Sequence, residues 1–233
     1  MTPADLLARL LYRDALMLIL DKPAGLPVHA GPGGGENLEQ HFPSLRFGLP
    51  QPPALAHRLD RDTLGCLVLG RQRKGLSRLG KLVQAGTVEK TYWAVTEGVP
   101  AEASGRIELP LFKEAKKNGW RMVVDRDKGQ SAVTDYRVLG QGDGMAWVEL
   151  HPRTGRTHQI RVHLAQLGCP VKGDPTYGKG DGPMHLHSRA VSLPLYPKRD
   201  PVAVVAPVPA HMRAALAACG WREADTGALV PAP

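Results

Sequence analysis

Short apolar runs separated by turn-forming residues divide the chain into strands and a few helices. The continuous apolar run at residues 16–20 predicts a buried strand that ends at the turn-forming residues 21–25. Apolar residues at helical spacing predict a helix over residues 74–85, and Gly86 follows as its stop. The same reasoning predicts strands at residues 67–69, 88–96, 132–139, 145–151, 186–193 and 202–206, and helices at residues 157–167 and 209–219.

The order of these elements favours one fold class. Runs of strands mixed with isolated helices indicate an α+β fold with a mixed, mostly antiparallel sheet flanked by helices, rather than a doubly wound parallel sheet. The chain has no internal repeat and no long linker. We therefore predict a single domain over residues 1–225 and a loose Ala- and Pro-rich tail over residues 226–233.

Composition limits the class of protein further. A chain of 233 residues with 42% hydrophobic side chains can bury a core without disulfides or a structural metal. Cys66, Cys169 and Cys219 are far apart and have no C-x-x-C spacing, so neither a disulfide framework nor a zinc site is expected. No apolar stretch has the length of a membrane span, and no signal sequence is recognisable. We expect a cytoplasmic protein without membrane contact, and a monomer because no large apolar helix face is left over.

Charge adds a class of partner. The chain carries 30 Lys and Arg against 22 Asp and Glu, a net charge of +8, which favours polyanions. Residues 71–90 hold six basic residues against one acid, and residues 113–128 hold six against three. The second segment includes Lys113, Lys116, Lys117 and Trp120 around a turn signal, which predicts a basic hairpin that grips a phosphate backbone. A solvated loop explains the same charges equally well.

Ionisable residues crowd the segment before the strand at residues 67–69. They are His57, Arg58, Asp60, Arg61 and Asp62. Asp60, presented at a strand end, would suit a nucleophile or a general base. The alternative is a solvated turn held by ion pairs, since structural charge networks resemble active sites.

A second crowded segment, residues 151–163, holds three arginines, three histidines and no acid. Thr157 is the candidate N-cap of the following helix, whose apolar residues Ile160, Leu164 and Leu167 are predicted to face the core. Arg161 projects from the first turns, where it is placed to pair with a buried carboxylate such as Asp60. Because nothing local neutralises these charges, a simple surface coat is the less favoured interpretation.

Metal chemistry is not favoured by the spacing of the histidines. His158 and His163 diverge on a helix, and His185 and His187 have no third ligand nearby in sequence. The residues alone nevertheless do not exclude a metal-dependent nuclease that uses Asp60, Asp62 and nearby histidines. Turnover in EDTA would exclude it, since divalent ions are intrinsic to such hydrolysis.

Three motifs together resemble the RluA family of RNA pseudouridine synthases: HRLDRDTLGCLVL at residues 57–69, KTYWAV at 90–95 and TGRTHQIRVHLAQLGCPVKGDPTYG at 154–178. LILDKPAGLPVH at residues 18–29 and LHSRAVSL at 186–193 extend the resemblance to nearly the whole chain. It implies the family's α+β fold, in which a basic catalytic cleft splits the sheet. It also implies isomerisation of uridine to pseudouridine in a structured tRNA or rRNA, without a cofactor or a metal.

Roles for individual residues follow from the same match. It implies that Asp60 is the catalytic aspartate, Tyr92 the aromatic residue that packs on the target base, and Arg161 the ion-pair partner of Asp60. Arg58 is our candidate for filling the place of an extruded base, which the turnover of Arg58→Ala would test. The RNA-contacting residues predicted around them are His57, Arg58, Arg61, Lys90, Lys113, Lys116, Lys117, Arg156 and His158.

Two positions depart from the family pattern. Leu64 stands where a small hydroxyl residue is usual, and Cys66 where leucine is common. The three catalytic positions are intact, so we expect an active enzyme. The first strand also begins too early for the S4-type RNA-binding module of many relatives, so the catalytic domain is expected to hold RNA by itself. The alternative is a catalytically silent RNA-binding or assembly protein of the same fold.

Overall fold

The computed structural model describes residues 1–31, 34–116 and 119–224. They form two compact units: Met1–Lys90 with Ser188–Pro207, and Thr91–His187 with the described residues from Val208 onward. In these ranges no helix is long and apolar enough to cross a membrane. The single domain expected over residues 1–225 stays a prediction, and the tail expected at residues 226–233 lies outside the described residues.

The described residues contain twelve strands: β1 Leu10–Arg13, β2 Met17–Lys22, β3 Ala54–Leu55, β4 Leu64–Gly70, β5 Glu89–Glu97, β6 Ser104–Glu108, β7 Leu111–Lys116, β8 Gly119–Val124, β9 Val133–Gly142, β10 Met145–Pro152, β11 Leu186–Leu193 and β12 Val202–Val205. Four α-helices accompany them: α1 Pro3–Leu7, α2 Gln72–Gln84, α3 Gln159–Gln166 and α4 Ala210–Ala218. A 3-10 helix spans Leu38–Leu45. Every element predicted from the apolar pattern is present. The pattern did not predict α1, β1, β3, β6, β7, β8 or the 3-10 helix; β7 and β8 correspond to the hairpin expected from the basic residues and the turn signal.

The first unit is built on the strand order β1-β2-β4-β11, with β3 beside β4 and β12 beside β11. β2 pairs with β1 and with β4 in antiparallel fashion. Helix α2 packs on these strands through Leu79, which joins Met17, Ile19 and Val68 in one buried cluster. At Gly75 of α2 a Cβ atom would collide with a carbonyl oxygen of the preceding chain, so only glycine allows this close approach.

The second unit contains the antiparallel order β5-β10-β9-β6 and a separate antiparallel hairpin, β7–β8. Trp93 and Trp147 lie on one face of the four-stranded sheet, where α4 covers them through Met212 and Leu216. Since successive residues of a strand point to opposite faces, Tyr92 lies on the other face. The antiparallel pairing agrees with the fold class predicted from the order of the elements.

Helix α3 lies on the same face of this sheet as Tyr92. Tyr92 of β5 pairs with Leu150 of β10, and Thr134 of β9 pairs with Pro152 of β10. Because Leu150 and Pro152 are two residues apart in one strand, Tyr92 and Thr134 lie on the same face of the sheet. The side chains of Gln159 and His163 in α3 both lie 2.9 Å from the Thr134 hydroxyl. The sheet and α3 are therefore joined by buried hydrogen bonds on the face that carries Tyr92.

Helix α3 begins later than the sequence predicts. Its first residue is Gln159, and its N-cap is His158, in the left-handed conformation with φ 54°. Thr157 is therefore not the N-cap, and that prediction is wrong. The Gln159 side-chain oxygen closes the preceding turn by accepting a hydrogen bond from the Arg156 N–H at 3.0 Å. Leu167, predicted to face the core, is 36% exposed because it follows the last residue of α3.

Candidate active site

Asp60 lies in a tight turn immediately before β4. The backbone N–H of Thr63 donates to the Asp60 carbonyl oxygen at 3.2 Å, which closes the turn over residues 60–63. Asp60 is partly buried, its neighbour Leu59 is buried, and β4 behind them is buried from Gly65 to its end. The Asp60 side chain is thus carried by a rigid strand end.

Lys22, the last residue of β2, holds this turn in place. Its ammonium group donates to the carbonyl oxygens of Pro23 at 2.8 Å, Arg61 at 2.8 Å and Thr63 at 3.0 Å. These three bonds use the full donor capacity of an ammonium group. The side chain is completely buried, and burial lowers the pKa of Lys22 to about 8 although the Asp62 and Asp60 carboxylates oppose that shift. Lys22 therefore supports the backbone that follows Asp60.

We expect Lys22→Met to lower the free energy of unfolding by about 3 kcal/mol, because buried carbonyl oxygens lose their donor. Isomerisation of RNA should slow by about tenfold or more, since small displacements of a catalytic group have large effects on rate. Urea unfolding and single-turnover kinetics measure the two effects. Lys198→Met, at an exposed lysine of the same unit, is the control and should change neither quantity; equal losses in both variants would contradict the role given to Lys22.

His57 uses its ring inside the first unit. The backbone N–H of Val68 donates to His57 Nε2 at 3.0 Å. Burial, with a smaller contribution from the charge of Lys90, lowers the pKa of His57 to about 4, so the ring is neutral at pH 7. Lys90 is itself partly buried, and burial lowers its pKa. The RNA contacts assigned to these two residues stay predictions, and Nε2 of His57 is occupied by the backbone.

The two departures from the family pattern lie in β4. Cys66 is fully buried in the core cluster that contains Val68 and Leu79. Burial raises the pKa of the Cys66 thiol to about 12, so it is not a nucleophile. Leu64 is partly buried at the start of the strand. Both residues follow the Asp60 turn in sequence, and neither supplies a charged group.

Arg161, buried in α3, forms a bidentate ion pair with Asp174. Its Nε lies 2.7 Å from Asp174 Oδ2, and its Nη2 lies 2.7 Å from Oδ1. Nη2 also donates to the Thr176 hydroxyl at 3.1 Å. Burial acts to raise the pKa of Asp174, but the Arg161 guanidinium and two backbone N–H groups outweigh it, so this pKa lies below its usual value. The pair fixes the direction of the Arg161 side chain.

Two of the three arginines in residues 151–163 pair with acids, although the sequence shows no acid within that segment. Arg153 pairs with Asp135 at 2.6 Å, and Arg161 pairs with Asp174 at 2.7 Å. Both acids lie outside the segment in sequence, so the expectation that its charges lack acidic partners is wrong for Arg153 and Arg161. Asp60 belongs to the first unit and Arg161 to the second, and the ion pair expected between them stays a prediction.

An aromatic cluster fastens the hairpin β7–β8 to α3. Trp120 stacks on His158, with ring centroids 5.1 Å apart and planes at 30°. The Tyr177 hydroxyl lies 3.0 Å from His158 Nδ1 and accepts a hydrogen bond from the Met122 N–H at 3.0 Å. The ring of Tyr177 lies 5.2 Å from the Arg161 guanidinium carbon. These contacts link the predicted RNA-gripping hairpin to the helix that carries Arg161.

The basic residues predicted to contact RNA around Asp60 are exposed. Arg58 is an exposed residue next to the turn. Arg61 is exposed as well, and its Nη2 lies 3.1 Å from the carboxylate of Asp62. Asp62 therefore has an ion-pair partner next to it in sequence.

The predicted RNA-contacting residues of the second unit lie on the hairpin and just before α3. The Lys113 ammonium lies 4.4 Å from the centroid of the Trp120 ring, and Lys116 pairs with Glu114 at 2.7 Å. Arg156, before α3, donates to a backbone carbonyl oxygen at 3.0 Å and remains exposed. Lys117 lies outside the described residues.

Sequence reasoning gave no role to Lys22, Asp174 and Tyr177, although all three stand inside the quoted motifs. Among the largest fully buried side chains of residues 1–31, 34–116 and 119–224, Lys22 is the only charged one, and a sequence does not reveal such burial. Asp174 and Tyr177 belong to GDPTYG, and their positions in that motif were the available signal.

Known proteins resemble this chain along most of its length. The sequence profile of RNA pseudouridylate synthases matches residues 16–166. The chain belongs to this family. An RNA pseudouridine synthase of Zymomonas mobilis, itself uncharacterized, is 45% identical over 207 residues, which cover 86% of this chain and 94% of that protein. A ribosomal large subunit pseudouridine synthase C of Buchnera aphidicola is 37% identical over 177 residues, which cover 76% of this chain and 56% of that protein.

A solved structure agrees with the family assignment. The human RNA Pseudouridylate Synthase Domain Containing 4 superposes with a TM-score of 0.79 at 29% identity, over 93% of this chain and 95% of that one. The family recognised from the motifs and the α+β pseudouridine synthase fold are thus confirmed. The chain is therefore an RNA pseudouridine synthase, an enzyme of the isomerase class that acts on RNA.

Proposed function

We propose that this chain isomerises one or a few defined uridines of a structured RNA, with Asp60 as the catalytic aspartate. The observation that carries the proposal is the partly buried Asp60 turn, which the buried Lys22 ammonium holds through the carbonyl oxygens of Arg61 and Thr63. Asp60 stands in the motif that is similar to the family's catalytic segment. A carboxylate that reacts at a single atom of the ribose must be positioned accurately, and the Lys22 hydrogen bonds fix the backbone that carries it.

The reaction requires the uridine to leave its stack, because a base inside folded RNA is not accessible. Asp60 then either attacks C1′ and displaces N1 of uracil, or removes the C2′ proton so that the N-glycosidic bond breaks. The uracil turns while Tyr92 packs on its face. A bond forms between C5 and C1′, the C5 proton is released, N1 gains a proton and the carboxylate is restored. The proton lost from C5 is matched by the proton gained at N1, so pseudouridine has the same composition as uridine and no cofactor enters the balance.

Arg161 is the proposed partner that keeps the Asp60 carboxylate ionised. Asp174 and Thr176 fix the orientation of the Arg161 guanidinium. This supports the role, because the N–H groups that these two residues do not bind then point in one fixed direction. Tyr92 lies on the sheet face that also carries α3, which supports a shared site for these two residues of the second unit.

Large-subunit ribosomal RNA is the first substrate to test. The Buchnera relative bears a name that assigns it to the ribosomal large subunit. Transfer RNA is the second candidate, since both RNAs present structured loops whose unpaired bases are open to flipping.

The experiment is pseudouridine mapping by carbodiimide modification and primer extension across rRNA and tRNA, in cells with and without the protein. We expect one or a few sites to disappear and to return only with the unmodified gene, not with Asp60→Asn. If no site disappears anywhere, the chain acts as an RNA-binding or assembly protein and the proposed function is wrong. Activity retained in EDTA would exclude the metal-dependent nuclease.

Trp120→Ala should weaken RNA binding by about tenfold, because a base-stacking aromatic contributes about 1–3 kcal/mol. Trp120 is 43% exposed, and its ring is already stacked on His158. It therefore offers an aromatic surface to a base at little cost in side-chain entropy. Fluorescence anisotropy with labelled RNA measures the change. Phe112→Ala is the control, because Phe112 is exposed on the opposite face of the same hairpin. An unchanged Kd in Trp120→Ala, or equal losses in both variants, would remove Trp120 from the RNA interface.

A further inference from the structure

The outer face of α2 carries four cations that the Asp60 and Arg161 sites do not use. Arg73, Lys74, Arg78 and Lys81 are all exposed, and together they define the α2 basic face. Lys74, Arg78 and Lys81 follow at i, i+4 and i+7, so they form one row with axial steps of about 6 and 4.5 Å. The buried side of the same helix, at Gly75 and Leu79, packs on the first unit.

These charges oppose the stability of the helix that holds them. α2 contains no acidic residue, and cations four residues apart repel each other. Arg73 and Lys74 stand in the first turn, where the positive end of the helix dipole also disfavours cations. The N-cap residue Arg71 makes no side-chain capping bond. The row of cations lowers the stability of α2 in the free protein, and a bound anion would offset that loss.

Several cations of the second unit are neutralised by acids, whereas those of the α2 basic face are not. In the second unit Arg153 and Arg106 share Asp135, each at 2.6 Å, and Arg137 lies 2.7 Å from Glu149. Within residues 1–31, 34–116 and 119–224, none of the four cations of the α2 basic face makes a salt bridge. Their charge is therefore available to a partner.

The positive surface continues past the start of α2. Arg71 donates from Nη2 to the Arg46 carbonyl oxygen at 3.3 Å, which brings the exposed Arg46 beside the helix start. The guanidinium of the exposed Arg13 lies 4.3 Å from the centroid of the Phe47 ring, and that of Arg71 lies 5.8 Å from it. Arg13 and Arg46 thus extend the α2 basic face by two more cations.

We propose that the α2 basic face binds the phosphodiester backbone of the RNA substrate, as a second contact separate from the residues that handle the target base. The inference rests on the proposed function for its partner. The exposed positions between and just after the cations are Ser77, Gly80 and Gln84, which let a nucleic-acid strand approach closely. A membrane-surface helix would need large apolar residues there, and this face has none. Phosphate contacts of this kind give affinity and orientation without sequence preference.

The contact predicts a specific thermodynamic signature. Each cation that neutralises a phosphate releases condensed counterions, so the logarithm of the binding constant falls with the logarithm of salt concentration by about 0.7–0.9 per contact. Removing the three charges of the row should therefore reduce that slope by about 2 to 3. The rate of isomerisation in the saturated complex should stay within about twofold, because the α2 basic face binds the two reaction states equally.

The test compares the wild type with the triple variant Lys74→Gln, Arg78→Gln, Lys81→Gln, which keeps good helix formers at each position. The probe is an unmodified transcript of large-subunit ribosomal RNA. Binding is measured by filter retention between about 50 and 300 mM KCl, over which the Debye length falls from about 14 to about 6 Å. We expect the slope to fall as stated and Kd at the lowest salt to rise by at least about tenfold. Thermal unfolding should show no loss of stability, since like charges have been removed.

The control removes three exposed cations elsewhere: Lys198→Gln, Arg199→Gln, Arg213→Gln. Arg213 belongs to α4, on the sheet face opposite to Tyr92. A loss of slope equal to that of the α2 variant would show general attraction and overturn the proposal, as would an unchanged slope in the α2 variant. Tritium release from RNA labelled at uridine C5 is measured in parallel. If the wild type binds with the expected slope but releases no tritium from any RNA, the proposed function fails while the α2 contact stands.

Discussion

Asp60→Asn is expected to slow pseudouridine formation by at least about a thousandfold, the range lost when a positioned acid–base or nucleophilic group is removed. The amide keeps the size and most of the hydrogen bonding of the side chain, but it neither attacks C1′ nor accepts the C2′ proton. The turn around it should stay folded, because Lys22 bonds to backbone carbonyl oxygens and not to the Asp60 side chain in the bonds described above. RNA affinity should therefore change by less than about threefold, which corresponds to about 0.6 kcal/mol.

Single-turnover kinetics with excess enzyme measure this effect without interference from product release. The assay follows tritium leaving uridine C5, the position at which the new glycosidic bond forms. Asp62→Asn is the matched control, two residues away and already paired with Arg61 at 3.1 Å. It should retain activity within about tenfold, because Asp62 only helps to hold the segment. Should Asp62→Asn lose activity and Asp60→Asn keep it, the two carboxylates have been assigned the wrong way round.

Asp174→Asn is expected to lower the free energy of unfolding by about 3 kcal/mol at pH 7, because it removes one partner of a buried ion pair. Arg161 would keep its place in the interior, at 6% side-chain exposure, without the carboxylate that binds its Nε and Nη2. An isosteric amide leaves the packing unchanged, so the loss reports on charge. Urea unfolding followed by tryptophan fluorescence measures it, and Asp62→Asn, whose pair is exposed, should cost less than about 1 kcal/mol.

The effect of Asp174 should depend on pH in one direction. Its folded pKa lies below its usual value, because Arg161 and backbone N–H groups outweigh the opposing effect of burial. An acid with a lowered folded pKa contributes stability that is present above the unfolded pKa, about 3.9, and that is lost as the pH falls through the folded value. The difference between the wild type and Asp174→Asn should therefore be full at pH 6 and shrink below about pH 4. A difference that stays constant down to about pH 3 would show that the carboxylate charge is not the source of the stability.

The apolar pattern was sufficient for most of the secondary structure because periodicity is a local property. β11 was predicted at its observed bounds, Leu186–Leu193, and β10 within one residue, Met145–Pro152. The pattern was insufficient for β6 and β1, which have few buried residues and little contrast between faces. The N-terminus of α3 was misplaced because His158 is held with positive φ by Trp120 and Tyr177, neither of which is local to it in sequence.

The sequence by itself determined the family, the α+β class and the candidates Asp60, Tyr92 and Arg161, because motifs place chemistry-bearing residues at short, fixed spacings. Only the tertiary structure decided what supports them. Lys22 reaches carbonyl oxygens 39 and 41 residues away, and Arg161 meets Asp174 13 residues along the chain. Such pairings depend on how strands and helices pack, and they form in the interior because a buried charge is tolerated only where packing supplies its partners.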